Sequence, residues 1–220
     1  MERKIMITAD GSTTIHITEW DEQYHSKHGA IQEAKHVFIN NGLSLFANRK
    51  ISILEIGFGT GLNCFITFLE AQKMNLAVDY VGVEAYPLVA EEVEKMNYVA
   101  QLEAIEFSNI FNQMHTQDWE IKGGISPEFF LTKRKKFFNK INDENKFDLI
   151  YFDAFGARVQ PELWTEEIFE KMYNALKPDG VLVTYSAKGS VRRAMLAVGF
   201  LVEKLPGPPG KREMLRGKKS

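Results

Sequence analysis

Glycines at 57, 59 and 61 separate two segments of different periodicity. Residues 51–56 form a short apolar run that predicts a buried parallel strand, and apolar residues recur at helical spacing after Gly61. A strand, a tight glycine turn and a helix in this order allow the backbone to approach a ligand closely. Glu84 ends the next apolar run, where an α/β nucleotide fold binds ribose hydroxyls. The pattern predicts an adenosine-containing cofactor held by these residues: Glu55, Gly57, Phe58, Gly59, Thr60, Gly61, Glu84 and Asp153.

The glycine loop favours S-adenosyl-L-methionine over NAD. A pyrophosphate-binding loop has a third glycine where this chain has Leu62, and it presents a helix N-terminus to phosphate. S-adenosylmethionine has no phosphate but carries a sulfonium and an ammonium, and acids such as Glu55 near the strand end suit a cation. The alternative is that the glycines only form a tight turn between strand and helix.

Asp153 follows the buried run 147–152, so it is predicted at the same sheet edge as the glycine loop. A carboxylate there can orient an amine nucleophile or accept its proton, which makes Asp153 the candidate catalytic residue. The alternative role is to cap the following turn. Phe155 and Trp164 can stack a flipped or single-stranded base, although each aromatic residue alone is more often part of a core.

The elements that position these residues alternate between strands and helices, which predicts a parallel sheet covered on both faces. Residues 4–9 and 13–18 predict a hairpin and 30–40 a helix, so 1–50 is interpreted as an N-terminal extension packed on a core of residues 51–220. The turn at 177–180 is expected to end a helix, and 116–146 is expected to be an insertion with a short hairpin and a helix. Two strands joined directly at the end of the chain predict an antiparallel strand near one edge. The fold class is therefore α/β, with a mostly parallel, seven-stranded sheet of the Rossmann-like class I S-adenosylmethionine-dependent methyltransferases.

Composition limits the classes of protein to which the chain can belong. The chain has 220 residues, enough for one core, and 45% of them are hydrophobic. It contains no apolar run long enough to span a bilayer and no pattern of a signal peptide, so no membrane partner is expected. The single cysteine, Cys64, cannot form an internal disulfide, which fits a reducing cytoplasm. The five histidines are scattered, so no metal site is expected.

Basic residues are concentrated near the end of the chain. Residues 186–220 contain nine basic and two acidic residues, a net charge of +7, although the whole chain carries −2. Such asymmetry predicts a partner with phosphates. The residues expected to contact it are Lys188, Arg192, Arg193, Lys211 and Arg212, and the alternative is a solvated basic surface.

Several long segments resemble the methyltransferase domain of bacterial MnmC. The resemblance is carried by residues 153–165, which read DAFGARVQPELWT, by 184–193 and 199–200, and by 210–216. Near the start of the chain, residues 24–26, Glu33 and 37–39 are similar to the opening segment of that family. The resemblance covers nearly the whole chain. Because no fused FAD-dependent oxidoreductase domain is seen, the chain resembles the stand-alone form, MnmD.

The resemblance implies methyl transfer from S-adenosylmethionine to the primary amine of 5-aminomethyl-2-thiouridine at the tRNA wobble position. It places cofactor at the glycine loop and Glu84, methyl transfer at Asp153, and the anticodon loop of tRNA on the basic residues. Two alternatives stay open. One is a small-molecule N- or O-methyltransferase on the same fold, and the other is an RNA-binding protein with a vestigial cofactor pocket.

Overall fold

Two sheets organise residues 2–220, which are the residues that the computed structural model describes. The smaller sheet contains β1 (Arg3–Ile7), β2 (Thr13–Ile17) and β3 (Glu22–Gln23). The strands of the larger sheet are β4 (Lys50–Ile56), β5 (Ala77–Glu84), β6 (Lys122–Ser126), β7 (Phe129–Lys135), β8 (Phe147–Phe152), β9 (Leu176–Thr184), β10 (Leu201–Pro206) and β11 (Glu213–Lys218). Their order is β10-β11-β9-β8-β4-β5-β7-β6.

The five central strands of the larger sheet, β9-β8-β4-β5-β7, are parallel to their neighbours. On one side β11 pairs antiparallel with β9 and β10 with β11, which confirms the predicted antiparallel strand near an edge. The predicted fold class is confirmed, but the predicted count of seven strands is wrong because β6 adds an eighth at the other edge. The carboxyl ends of the parallel strands meet along one edge of the sheet, where ligands bind in such folds.

The short hairpin predicted within 116–146 is present as β6 and β7, but it is part of the sheet rather than an insertion. Strand β7 pairs with β5 over seven residues, from Val78↔Phe129 to Glu84↔Lys135, and a short 3₁₀ turn (Phe138–Lys140) replaces the expected helix. The basic run at 133–136 conceals this strand, because Lys133 occupies an inward position and is only 1% exposed. An apolar pattern alone could not identify a strand with a buried lysine.

The helices cover both faces of the sheet. They are α1 (Ala30–Ala34), which continues into a π-helical segment (Lys35–Asn40), α2 (Leu62–Lys73), α3 (Ala90–Val93), α4 (Tyr98–Gln101), α5 (Ser108–Thr116), α6 (Glu166–Ala175) and α7 (Gly189–Ala197). One buried cluster joins α1, α2 and α5 to the sheet, and a second joins α6 and α7 to it. Because side chains alternate along a strand, Ile53 lies in the first cluster and Leu54 in the second.

The predicted turn at 177–180 is a bulge inside β9. Leu176 is paired with Phe147 and Val181 with Leu149, so extra residues lie between the two pairs. Asp179 takes a left-handed conformation there, with φ 62°. The glycine and proline correctly predicted an irregular backbone after α6, but the chain continues in the same direction and enters the sheet.

The N-terminal segment packs directly on the larger unit. Its predicted hairpin is present as β1 and β2, and its predicted helix begins at Ala30. Ile15 of the hairpin and Phe38 of the π-helical segment belong to the same buried cluster as Ile53 of β4. The division at residue 50 into an extension and a core stays a prediction.

Candidate active site

A cavity of about 390 Å³ lies at the carboxyl ends of β4, β5 and β8. Its volume is within the range of small-molecule sites, roughly 300–1,000 Å³. Seven of the predicted site residues line it, and they come from three separate strand ends: Gly57, Phe58, Gly59, Thr60, Glu84, Asp153 and Phe155. The sheet topology thus brings together the residues that the sequence suggested.

The glycine loop is hydrogen-bonded to the end of β5 and lies in close contact with the residue that follows β8. The amides of Gly57 and Phe58 donate to the carbonyl of Val83, each at 3.0 Å. Gly57 has φ 90°, and a Cβ atom there would lie 2.5 Å from the carbonyl oxygen of Asp153, so only glycine fits. The loop therefore positions its own backbone against Asp153.

Glu84 fixes the other side of the loop. One of its carboxylate oxygens accepts a hydrogen bond from the amide of Gly59 at 3.1 Å, and the other accepts one from the amide of Tyr86 at 2.9 Å. These bonds hold an acid at the cavity wall, beside the glycines. A carboxylate held in this way can accept hydrogen bonds from a pair of ribose hydroxyls.

Asn63 links Asp153 to a second carboxyl group behind the wall. Its Nδ2 donates to Asp153 at 2.8 Å and to Glu55 at 2.9 Å, and Tyr80 also donates to Glu55 at 2.9 Å. Burial raises the pKa of Glu55 well above its ordinary value, aided by the charge of Asp153. Glu55 is buried and does not line the cavity, and its predicted role in cofactor binding stays a prediction.

The environment of Asp153 suits a proton acceptor near neutral pH. Burial raises the pKa of its carboxyl group to about 7, and the charge of Glu33 adds to the increase. The hydrogen bond from Asn63 and the charge of Lys211 oppose it. A group with a pKa close to the working pH can both accept and release a proton.

Two other predicted residues lie outside the cavity. Gly61 directly precedes α2, has φ 72° and does not line the wall. Trp164 is 5% exposed, and its Nε1 donates to the carbonyl of Phe155 at 2.8 Å. It packs against Phe152 and Phe169 in the core, and the predicted stacking of a base on it stays a prediction. Phe155 itself is partly exposed and lines the cavity.

The basic residues fall into two groups. Lys211 is bonded to Glu33 at 2.5 Å, and its ammonium lies 3.9 Å from the centre of the Tyr185 ring. The other four form no ion pair with the described residues, and they are Lys188, Arg192, Arg193 and Arg212. The Nε of Arg192 is buried and has no hydrogen-bond partner in the described part of the chain.

Sequence reasoning missed Asn63 and His25. Asn63 is 3% exposed in an otherwise apolar helix turn. An amide side chain at an apolar stretch just after a glycine loop is a signal from which a site residue could have been predicted.

His25 lies between Thr14 Oγ1 at 3.2 Å and Thr60 Oγ1 at 3.3 Å, and burial lowers its pKa to about 4. Because Tyr98 donates to Thr60, the Thr60 hydroxyl is free to donate to neutral His25. Nothing local in the sequence indicates that contact, which joins distant segments.

The cavity residues fit S-adenosylmethionine on one further observation. Asn63 Oδ1 is buried at the cavity wall and has no hydrogen-bond partner among residues 2–220. An acceptor of this kind can receive a hydrogen bond from the ammonium of an amino-acid group. The carboxylate of Glu84 adds negative charge for a cationic ligand, whereas a dinucleotide would bring a pyrophosphate to the same wall.

Between residues 2 and 220, no group of three or more His, Cys, Asp or Glu side chains is arranged to hold a metal ion. No helix in that part of the chain is both long and apolar enough to cross a bilayer.

The fold and this cavity define the class of S-adenosylmethionine-dependent methyltransferases. Residues 99–220 match a family model described as S-adenosyl-L-methionine-dependent methyltransferase. The match covers more than half of the chain, and the chain belongs to this family.

Within this family, the chain is similar to curated MnmC proteins. The chain is 32% identical over 216 residues to the tRNA 5-methylaminomethyl-2-thiouridine biosynthesis bifunctional protein MnmC of Leptospira borgpetersenii, covering 91% of this chain and 33% of the relative. It is 28% identical over 227 residues to the MnmC of Aeromonas hydrophila, covering 92% and 33%. These matches confirm the resemblance to the methyltransferase part of MnmC. The chain spans about a third of the length of the curated relatives it matches.

Solved structures agree on the fold. The crystal structure of MnmC2 from Aquifex aeolicus matches with a TM-score of 0.77 at 24% identity, covering all of this chain and 70% of that one. Spermidine synthase from Thermotoga maritima matches with a TM-score of 0.62 at 17% identity, covering 99% and 68%.

Proposed function

We propose that this chain methylates the primary amine of 5-aminomethyl-2-thiouridine at the tRNA wobble position, with S-adenosylmethionine as methyl donor. The product is 5-methylaminomethyl-2-thiouridine, and the reaction belongs in the cytoplasm with its tRNA substrate. One observation carries the proposal: relatives named for the biosynthesis of this nucleoside match 91% of the chain. The match includes Asp153, whose carboxyl group lines the cavity.

In this proposal the cavity residues hold the cofactor by complementary groups. Glu84 accepts hydrogen bonds from the ribose hydroxyls, and the unpartnered Asn63 Oδ1 accepts one from the amino-acid ammonium. The backbone of Gly57 and Gly59 permits close approach of the ligand, since neither has a side chain. When bound, S-adenosylmethionine supplies an electrophilic methyl group on its sulfonium.

The residues of the chain then need to provide only position and one proton acceptor. An alkylamine is protonated at neutral pH and becomes nucleophilic when the proton leaves, and Asp153 accepts that proton. Because the pKa of Asp153 is raised to about 7, it is a better base than an ordinary carboxylate. Holding amine and methyl group in line can contribute on the order of 7–11 kcal/mol in favourable cases.

The test is methyl transfer to tRNA by the purified chain. Labelled S-adenosylmethionine is incubated with tRNA that carries the aminomethyl group, and with fully methylated tRNA as control. The proposal expects label only in the first tRNA, and mass spectrometry of the digested nucleosides should locate the added methyl group on the wobble nucleoside. Label in small amines but none in tRNA would show that the acceptor has been misassigned.

A further inference from the structure

A second cavity, of about 320 Å³, lies next to the first. The two share Tyr24, His25, Ala154 and Phe155 as lining residues. Ala154 follows Asp153 directly in the chain, so the second cavity lies close to the proposed proton acceptor. The shared wall is aromatic, with the rings of Tyr24 and Phe155 packed edge to face at 4.9 Å.

The second cavity also contains one well-held cation. Lys211 enters from the loop between β10 and β11, its ammonium lies 3.9 Å from the centre of the Tyr185 ring, and it is bonded to Glu33. Glu33 is only 8% exposed and also accepts a hydrogen bond from the amide of Ser26 at 2.9 Å. The Lys211 side chain keeps 34% of its surface exposed.

The hydrogen-bonding capacity of this ammonium is not used up. A lysine ammonium has three donors, and here one is bonded to Glu33 while the ring face of Tyr185 covers another side. A remaining donor is available to the cavity. Tyr185 is fixed in turn, because its hydroxyl donates to the carbonyl of Ala154 at 2.8 Å. The donor is therefore held at a set place relative to Asp153.

The second cavity is also lined by Asp21, Glu22 and Lys27, and Glu22 is paired with Arg158. The charges directly beside Asp153 suit a ligand that brings one positive charge. Glu33 and Lys211 neutralise each other as an ion pair. Ionised Asp153 is then left with one negative charge, which a protonated primary amine would balance. The aromatic rings that line the cavity can contact a heterocycle, and the lysine donor fits a carbonyl oxygen on that heterocycle.

We propose that the second cavity holds the acceptor base, a pyrimidine with a protonated aminomethyl arm, and that Lys211 donates a hydrogen bond to a carbonyl oxygen of its ring. This inference rests on the proposed function and deepens it. Lys211 then recognises the base, held in place by Glu33 and Tyr185, and does not neutralise a backbone phosphate. The neighbouring Arg212 is exposed and unpaired among the described residues, so it keeps the phosphate role.

The adjacent residues Lys211 and Arg212 offer a matched comparison. Both Lys211→Met and Arg212→Ala remove one positive charge, so a purely electrostatic role predicts the same change for each. For Lys211→Met we expect kcat/KM on aminomethylated tRNA to fall about 10- to 100-fold, as for loss of a charged hydrogen bond. The slope of log affinity for tRNA against log salt should stay at the wild-type value. For Arg212→Ala we expect that slope to fall by about 0.9, because a phosphate contact is lost.

The result that overturns the inference is a Lys211→Met protein whose salt slope falls as in Arg212→Ala while kcat is unchanged. Since Lys211→Met leaves Glu33 buried without its partner, the double variant Glu33→Gln with Lys211→Met serves if the single variant does not fold. It should show the same loss of kcat/KM and the same unchanged salt slope. Failure of the wild-type chain to methylate any tRNA would contradict the proposed function instead, so the two failures are distinguishable.

Discussion

At the scale of single residues, Asp153 is the group whose environment opposes its own ionisation. Its carboxylate lies close to Glu33 and is joined through Asn63 to Glu55, so three acids share one region. Asn63 and Lys211 supply the only opposing contributions among the main causes of its shifted pKa. In the folded protein, ionising the Asp153 carboxyl group is therefore unfavourable. A strongly shifted pKa of this kind is common among catalytic groups.

The first prediction concerns Asp153→Asn, which keeps the shape of the side chain and removes its charge. We expect kcat to fall at least 100-fold because no proton acceptor remains, while affinity for S-adenosylmethionine changes little. Turnover of the wild type should rise with pH through about 7 as Asp153 ionises. Steady-state rates from pH 5 to 9 and calorimetric titration of the cofactor measure both effects.

A stability measurement gives an independent check on the same residue. A carboxyl group whose pKa is raised on folding stabilises the protein below its unfolded pKa, and this contribution is lost as pH rises through about 7. Asp153→Asn should therefore increase the free energy of unfolding at pH 8 by at most about 4 kcal/mol, the free energy that corresponds to raising the pKa from 3.8 to about 7. The difference should vanish near pH 4. An equal loss of stability at every pH would instead identify Asp153 as a structural cap.

The second prediction concerns Gly57, where backbone conformation and close contact coincide. Gly57→Ala places a Cβ at φ 90°, 2.5 Å from the carbonyl oxygen of Asp153. We expect a loss of about 1–3 kcal/mol of stability and at least a tenfold weaker affinity for S-adenosylmethionine. Gly124→Ala is the matched control, since its added Cβ meets only the Phe130 ring at 3.6 Å. Thermal unfolding with and without cofactor measures both, and an unaffected Gly57→Ala protein would contradict the proposed contact.

At the scale of elements, the sequence was most informative where a strand is buried on both faces. Residues 147–152 form an apolar run, and β8 has the same bounds. Such a strand can be predicted without knowing its neighbouring strands, because every side chain faces a core and the whole run is apolar. The glycine loop and its helix were predicted for a similar reason, since their signal is local.

Elements whose pattern depends on distant contacts could not be predicted. Strand β7 carries a buried lysine, Lys133, whose amine donates to the backbone carbonyl of His115. The pairing of Lys211 with Glu33 likewise joins residues 178 positions apart. In the sequence these lysines resemble solvated cations, and only the fold shows that each is held inside a specific contact.

The third prediction tests the contact between the N-terminal hairpin and the glycine loop. Neutral His25 bridges Thr14 and Thr60, and its pKa is lowered to about 4 by burial. A histidine with a depressed pKa stabilises the fold above its unfolded pKa, near 6.5, and this stabilisation is lost as pH falls towards 4. His25→Phe should therefore be less stable than the wild type at pH 8 and lose less stability on acidification.

The measurement is the free energy of unfolding of both proteins from pH 4 to 8. The difference between them isolates His25, because the carboxyl groups are common to both. We also expect weaker affinity for S-adenosylmethionine in His25→Phe, since Thr60 lines the cavity. A difference in stability that does not change with pH would mean that His25 acts through packing alone.

At the scale of the whole molecule, a net charge of −2 conceals an uneven distribution of free cations. Several basic residues near the end of the chain are neutralised, as in the pairs Lys204–Glu213 at 3.0 Å and Arg216–Glu203 at 2.7 Å. Helix α7 begins beside the carboxyl end of β9, on the same sheet edge as the active site, and carries the exposed Arg193. A phosphate chain approaching the cavity therefore meets unpaired charge on one side of it.

The last prediction compares a free cation with a paired one on this surface. We expect Arg193→Ala to weaken tRNA binding and to reduce the slope of log affinity against log salt by about 0.9, because one phosphate contact and its released counterion are lost. Lys204→Ala should leave the slope unchanged, since Glu213 already neutralises that charge. Filter-binding titrations measure this difference. The salt concentration is varied from roughly 50 to 200 mM, because affinity for nucleic acid changes steeply in this range. If both variants change the slope equally, tRNA responds to the overall charge of the chain rather than to a defined face beside the cavity.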